Sequence, residues 1–78
     1  MKIACYELTS RQMVALHGLY KGLVKNGKVY GVNVAPQLDK LATGGVIART
    51  GMGYIIPYGS PGEAIIEASR DFTISQHL

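Results

Sequence analysis

The chain has 78 residues, which is the length of one small domain, and we treat residues 1–78 as a single unit. Its one cysteine, Cys5, excludes an intramolecular disulfide and a cysteine-rich metal site, and it fits a reducing compartment such as the cytoplasm. The apolar runs are far shorter than the ~20 residues that a membrane-spanning helix needs. No apolar stretch that would suit a secretory signal precedes Cys5.

The charges are distributed unevenly within a net charge of +3. Residues 8–58 contain six basic residues and one acidic residue, a balance of +5, whereas residues 59–78 contain one basic and three acidic residues, a balance of −2. A basic body with an acidic C-terminal end is typical of a domain that docks an anionic partner on one side. An ordinary solvated surface has the same balance, so both interpretations stay open.

The N-terminal part predicts a short strand and then a helix. Lys2–Tyr6 favours an extended segment. Thr9 is followed three residues later by Gln12, which is the spacing of a capping box. The helix that begins there is expected to run from Ser10 to Val24 or Lys25, because its leucines fall on one side and its basic residues on the other. Asn26-Gly27 suits a left-handed cap at its end.

The middle of the chain predicts a second helix followed by a β-hairpin. Residues 28–34 alternate valines with other residues, as in a short strand or an extended connection. Residues 35–43 are expected to form the helix, with Pro36 tolerated in the first turn. Two apolar runs, 46–49 and 54–58, flank a glycine-containing turn and predict the two strands of the hairpin.

The clearest local signal lies near the C-terminus. Ser60-Pro-Gly-Glu63 supplies a serine cap, a proline in the first turn and a glutamate, which together predict a third helix from Pro61 to about Arg70 or Phe72. Residues 73–78 are expected to fray or to pair weakly with a strand. The predicted class is α+β, with three helices, one C-terminal β-hairpin and a short N-terminal strand.

This order of elements carries a resemblance to a known family. Leu38–Arg49 passes from a leucine-rich helix through two glycines to an apolar pair and a basic residue, and Gly53–Gly62 leads through an apolar strand into the turn before the last helix. With Leu8–Gln12, these stretches resemble the winged-helix domains of MarR-like and related small bacterial and phage regulators, over about residues 8–68. The connection before residue 35 is shorter than the helix and turn that such domains have there.

The resemblance implies a compact winged-helix-like fold and a small DNA-binding regulator, whose second helix and hairpin wing contact double-stranded DNA. Basic residues would bind phosphates, and glutamine would bind a base edge. The predicted nucleic-acid-binding residues are Lys25, Lys28, Gln37, Lys40, Thr43, Arg49 and Thr50. Regulators of this kind match two-fold symmetric sites, so a homo-oligomer is expected.

The tyrosines support an alternative function. Tyr20, Tyr30, Tyr54 and Tyr58 are numerous for so short a chain, and tyrosine is favoured at protein interfaces. The alternative is a protein-interaction module, such as a phage-type or mobile-element inhibitor that binds and blocks a host protein. Packing of the tyrosines in the core or on the hairpin is their default explanation.

The sequence predicts no catalytic residue, metal ligand or cofactor. Cys5 lies in the first strand, His17 at the margin of the first helix's apolar side, and His77 in the tail. None has a neighbour at the spacing of a catalytic pair or a metal site. Gly51-x-Gly53 belongs to a hairpin turn, whereas a dinucleotide-binding loop joins a strand to a helix. We therefore expect a binding protein and not an enzyme.

Overall fold

The computed structural model describes all of residues 1–78 as three α-helices and three hairpins. The helices are α1 (Ser10–Tyr20), α2 (Ala35–Thr43) and α3 (Pro61–Ala68), and a 3₁₀ turn (Ile74–Gln76) follows α3. The antiparallel strand pairs are β1 (Lys2–Ile3) with β2 (Tyr6–Glu7), β3 (Lys28–Val29) with β4 (Val32–Asn33), and β5 (Ala48–Thr50) with β6 (Gly53–Ile55). No helix has the length and apolar character that crossing a bilayer requires.

The predicted arrangement of strands is wrong. The expected fold had a single C-terminal hairpin and one short N-terminal strand, as in a winged helix, whereas the structure intersperses three separate two-stranded hairpins among the helices. The two missed hairpins turn at residues 4–5 and 30–31, where Ala4, Cys5 and Tyr30 have positive φ angles of 51°, 69° and 49°. Glycine and asparagine are the residues that usually adopt this conformation, so the sequence signal is absent at residues 4–5 and limited to Gly31 at residues 30–31.

Helix α1 forms the centre of the core. Its predicted capping box is confirmed, because Gln12 N donates to Thr9 Oγ1 at 3.1 Å and Thr9 N donates to Gln12 Oε1 at 2.8 Å. Residues 13–18 are all buried, since α2, α3, β3, β6 and the 3₁₀ turn pack around the helix. Val14 is therefore fully buried even though it lies among the basic residues on the helical wheel.

The end of α1 differs from its prediction. The helix stops at Tyr20, because Gly22 adopts a φ of 73° and Leu23 N donates to Gly18 O at 2.8 Å. This pattern is a Schellman cap, which satisfies carbonyl groups of the last turn. Asn26-Gly27, expected to be the cap, instead forms a separate turn with φ angles of 52° and 74°.

Two glycines allow close contact between elements. A Cβ at Gly18 would lie 2.6 Å from Val29 Cγ2, so β3 packs directly on α1. A Cβ at Gly62 would lie 2.7 Å from Val46 O, the oxygen to which Gly62 N donates at 2.9 Å. The predicted cap of α3 is confirmed, since Glu63 N donates to Ser60 Oγ at 3.3 Å. The contact at Gly18 positions the β3–β4 hairpin, and the contact at Gly62 positions the β5–β6 hairpin.

The C-terminal segment packs on α1, contrary to the expectation that it frays. Phe72 and Ile74 are buried, and the Phe72 ring stacks on both histidine rings, with centroid distances of 4.8 Å to His17 and 4.5 Å to His77. His17 Nε2 lies 2.9 Å from Ser69 Oγ, whose hydroxyl donates to Ile65 O. The serine oxygen therefore accepts from His17, which makes Nε2 the protonated nitrogen of a neutral ring.

Candidate binding surfaces

An exposed apolar surface lies where the end of α1 meets β6. We name it the apolar face, and its residues are Leu19, Tyr20, Met52, Tyr54, Ile55 and Ile56. A shallow groove in this face is lined entirely by apolar and tyrosine side chains of α1, β6 and Ile56. A second groove shares Leu19 and Tyr54 with the first and extends to Met52 at the hairpin tip. The two grooves therefore belong to one continuous surface.

Local structure explains why these apolar side chains are exposed. The Schellman cap ends α1 directly after Tyr20, whose side chain is 63% exposed. The hairpin reverses at Gly51 and Met52, so Met52 stands at its tip with full exposure, and Ile55 is 49% exposed. Tyr54 is only half-buried, and it lines the same groove as Ile55 at the edge of this two-stranded sheet.

A polar cluster fixes Tyr54 beside the apolar face. Its hydroxyl donates to Asp39 Oδ1 at 2.9 Å, and Arg49 Nη2 donates to the same oxygen at 2.9 Å and to Thr43 Oγ1 at 3.0 Å. The hydrogen bonds from Arg49 and from Tyr54 hold the pKa of the Asp39 carboxyl below its ordinary value. The same carboxylate raises the pKa of the Tyr54 hydroxyl. The charge of Arg49 is thus matched within the protein.

The structure divides the predicted DNA-binding residues of α2 and β5. Lys40 is exposed on α2 and forms no ion pair. Thr43 and Arg49 belong to the polar cluster around Asp39. Gln37 is half-buried, and its Oε1 is enclosed with no hydrogen-bond partner. Thr50 Oγ1 accepts from Met52 N at 3.2 Å and so stabilises the hairpin turn.

Lys25 and Lys28, the other two predicted residues, lie together on a tight double turn. Lys25 N donates to Lys28 O at 2.9 Å and Lys28 N donates to Lys25 O at 3.0 Å, so the two residues face each other across Asn26-Gly27. Their side chains border a cleft together with Leu23, Tyr30 and Gly31. Neither lysine is paired with a carboxylate. We name residues 25–31 the basic hairpin.

The residues most used in catalysis are far less prominent than these surfaces. Cys5 is exposed in the β1–β2 turn. His17 is buried, and its pKa is lowered, first by burial and then by the nearby charge of Lys21. No three side chains among His, Cys, Asp and Glu are grouped as metal ligands.

Sequence reasoning named the tyrosines as candidate interface residues, but it missed Leu19, Met52 and Ile55 beside them. It also did not bring Tyr30 together with Lys25 and Lys28. Leu19 and Ile55 match a hydrophobic core pattern, and nothing in the pattern shows that α1 ends before its next apolar turn. One signal of an exposed isoleucine was present in the sequence. Successive side chains of a strand point to opposite sides, so Tyr54 and Ile55 do not both point into the core. The pairing of Asp39 with Arg49 joins residues ten apart in different elements, and it depends on how the hairpin packs against α2.

Comparison with known proteins found no protein-family model, curated protein or solved structure that matches this chain.

Proposed function

We propose that this chain is a protein-binding module that receives its partner on the apolar face. One observation carries the proposal: Tyr20, Met52 and Ile55 are 63%, 101% and 49% exposed around grooves lined mainly by apolar side chains. Scattered exposed apolar residues are normal on soluble proteins, but a continuous apolar patch marks an interaction site. Tyrosine and methionine are also enriched in the buried centres of interfaces.

The charges around the face favour a partner with acidic residues. Lys21 follows Tyr20 directly and has no acidic partner, and Asn26-Gly27, at the border of the second groove, lies between Lys25 and Lys28. Asp39, the carboxylate beside the face, is already occupied by Arg49 and Tyr54. The partner is therefore a protein segment with apolar anchors and flanking Asp or Glu side chains.

A second copy of the chain suits the face less well. A two-fold contact on the apolar face would oppose the basic rim with a surface of this same chain, whose neighbouring carboxylate, Asp39, is already bound by Arg49 and Tyr54. A different protein is thus the proposed occupant, and the homo-oligomer expected from the sequence is the competing one. The proposal places the module in the cytoplasm, where a lone cysteine stays reduced.

Duplex DNA binding through α2, which the resemblance implied, is the weaker candidate. Arg49 is neutralised by Asp39, and the Gln37 Oε1 that would accept from a base is enclosed. The ion pair of Asp39 with Arg49 carries no net charge that would attract phosphates to this side of α2. Of the predicted contacts on α2 and β5, only Lys40 keeps an unpaired charge.

Peptide selection tests the proposal and defines the chemistry of the partner in the same experiment. A phage-displayed library of random linear peptides is selected on the wild-type chain, and enriched peptides are titrated against the wild type and Ile55→Lys. We expect peptides with apolar anchors and Asp or Glu flanks, and a loss of affinity of at least about tenfold in Ile55→Lys, as for a central interface residue.

The matched control is Leu78→Lys, because Leu78 is 48% exposed and lies outside the apolar face. It should leave peptide binding unchanged. Failure to enrich any peptide family, or equal losses in the two variants, would refute the proposal. A dimer in light scattering that Ile55→Lys dissociates would assign the face to a second copy instead.

A further inference from the structure

The basic hairpin combines cationic and aromatic groups around one cleft, which adjoins the apolar face at Asn26 and Gly27. Lys25 and Lys28 are held in register by two backbone hydrogen bonds, and their side chains border the cleft beside Tyr30. Residues facing each other in this way have Cα atoms roughly 5 Å apart. No carboxylate neutralises either lysine, so two unpaired positive charges stand next to one aromatic ring.

The backbone at Tyr30 is unfavourable for tyrosine. Tyr30 and Gly31 form the two-residue turn between β3 and β4, with φ angles of 49° and 80°. Such turns favour glycine, asparagine or aspartate at the first position, because the left-handed conformation costs most other residues about 1–2 kcal/mol and the short polar side chains of asparagine and aspartate form local hydrogen bonds there. The Tyr30 side chain is 64% exposed, so core burial does not offset this cost. Strained residues of this kind concentrate at ligand sites.

We propose that the basic hairpin binds single-stranded nucleic acid, with a base stacked on Tyr30 and neighbouring phosphates bound by Lys25 and Lys28. Aromatic rings next to a positively charged groove are the common means of binding single strands without sequence preference. The ring requires an unpaired base, because bases in a duplex are stacked on each other and their faces are inaccessible. An acidic peptide would use the lysines but would gain nothing from the exposed ring.

The inference goes beyond the proposed protein-binding function and does not depend on it. The two regions meet at Asn26 and Gly27, but Ile55 lines only the groove of the apolar face and Tyr30 lines only the cleft of the basic hairpin. Either site can therefore fail its test while the other passes.

Fluorescence anisotropy with a labelled oligothymidylate of about 12 nucleotides, a length within the site sizes of single-strand binders, tests the inference at low salt. Tyr30→Asn is the main variant, since asparagine suits the turn and removes only the ring. We expect Tyr30→Asn to weaken binding by about tenfold or more and Tyr30→Phe to retain it, because stacking on one ring is worth ~1–3 kcal/mol.

The lysines and the form of nucleic acid provide further outcomes. Lys25→Ala and Lys28→Ala should each reduce the salt slope of binding by about 0.7, the value for one phosphate contact on a single strand, whereas Lys2→Ala should not. A duplex of the same length should bind more weakly than the single strand. The inference is overturned if the duplex binds as well, if Tyr30→Asn binds like the wild type, or if a polyglutamate peptide competes as effectively as the oligonucleotide.

Discussion

The apolar face and the basic hairpin each expose one tyrosine to nearly the same degree, 63% for Tyr20 and 64% for Tyr30. Their surroundings differ completely. Tyr20 ends a relaxed helix beside Leu19 and Ile55, whereas Tyr30 occupies a left-handed turn beside two lysines. Exposure alone therefore does not define the role of an aromatic side chain. Its neighbours and the conformation of its backbone distinguish an apolar anchor from a stacking platform.

Each region also depends on a different close contact with the core. Gly62 allows the start of α3 to approach Val46, and a Cβ there would also meet Ile56 of the apolar face. Gly18 allows α1 to contact Val29, the residue directly before the Tyr30-Gly31 turn. Substitution of one glycine at a time should therefore perturb one region and spare the other.

The largest effect is expected from Gly62→Ala. The added Cβ would lie 2.7 Å from the backbone oxygen of Val46 and 3.3 Å from Ile56 Cγ2, so backbone atoms must move. We expect a loss of about 1–3 kcal/mol in the free energy of unfolding, measured by urea denaturation. Binding of selected peptides should weaken, while oligonucleotide binding by the folded protein stays unchanged.

Gly44→Ala is the control for this substitution. Gly44 has an ordinary φ of −79°, and a Cβ there would lie 3.4 Å from its nearest atom, Lys40 O. The free energy of unfolding of Gly44→Ala should remain within about 0.5 kcal/mol of the wild type, as for surface substitutions in general. A similar loss in both alanine variants would show that the close contact at Gly62 is unimportant.

A smaller effect is expected from Gly18→Ala. The nearest atom to the added Cβ is Val29 Cγ2, at 2.6 Å, and a side chain adjusts more readily than a backbone oxygen. The higher helix propensity of alanine, about 1 kcal/mol, offsets part of the strain. Chemical-shift changes in a heteronuclear NMR spectrum should therefore be largest at residues 28–33. Oligonucleotide binding should weaken while peptide binding is retained, and the reverse pattern would contradict the assignment.

Tyr30→Asn should stabilise the protein by about 1 kcal/mol, because asparagine tolerates the left-handed turn that strains tyrosine. Tyr20→Asn offers no such gain, since Tyr20 lies in regular helix, where the two residues have similar propensities. Thermal denaturation of the two variants measures the difference. If Tyr30→Asn is more stable than the wild type but loses oligonucleotide binding, Tyr30 has a functional role and not a structural one. A loss of stability in Tyr30→Asn would exclude strain at this turn.

We expect acid to lower the stability of the whole protein, with no difference between the apolar face and the basic hairpin. Burial, reinforced by Lys21, lowers the pKa of His17 below its ordinary 6.5, so the unfolded chain binds a proton that the folded chain does not. The free energy of unfolding therefore falls as the pH drops below about 6.5, and the fall ends below the folded pKa. Asp39, whose pKa is lowered from 3.8, loses its contribution only in stronger acid. In urea denaturation from pH 7 to 5, His17→Gln should remove this pH dependence of the free energy of unfolding. An equal slope in His17→Gln and the wild type would assign the dependence to another group.

Local signals in the sequence predicted the helices better than the strands. Thr9 with Gln12 and Ser60 with Glu63 place side-chain caps within three residues of each other, and both helix starts are confirmed. The hairpins at residues 2–7 and 28–33 depend on left-handed turns in which Ala4, Cys5 and Tyr30 have no preference for that conformation and only Gly31 has one. Tertiary packing on α1 stabilises these turns, and single-residue propensities do not contain that information.

The candidate sites were also only partly predictable from the sequence. Lys25 and Lys28 were predicted as nucleic-acid-binding residues from their charge and the winged-helix resemblance, and their close pairing across Asn26-Gly27 emerged only from the fold. Arg49 was predicted to bind nucleic acid, and its pairing with Asp39 on another element was not foreseen. Long-range pairing of this kind has no sequence signature.

The most direct test of two independent sites is a reciprocal measurement on Tyr20→Asn and Tyr30→Asn, because the two side chains are equally exposed. Each variant is titrated by fluorescence anisotropy with a selected peptide and with labelled oligothymidylate. We expect Tyr20→Asn to weaken only peptide binding and Tyr30→Asn to weaken only oligonucleotide binding, each by about tenfold or more. Loss of both activities in either variant, or loss of neither in both, would contradict the separation of the two sites.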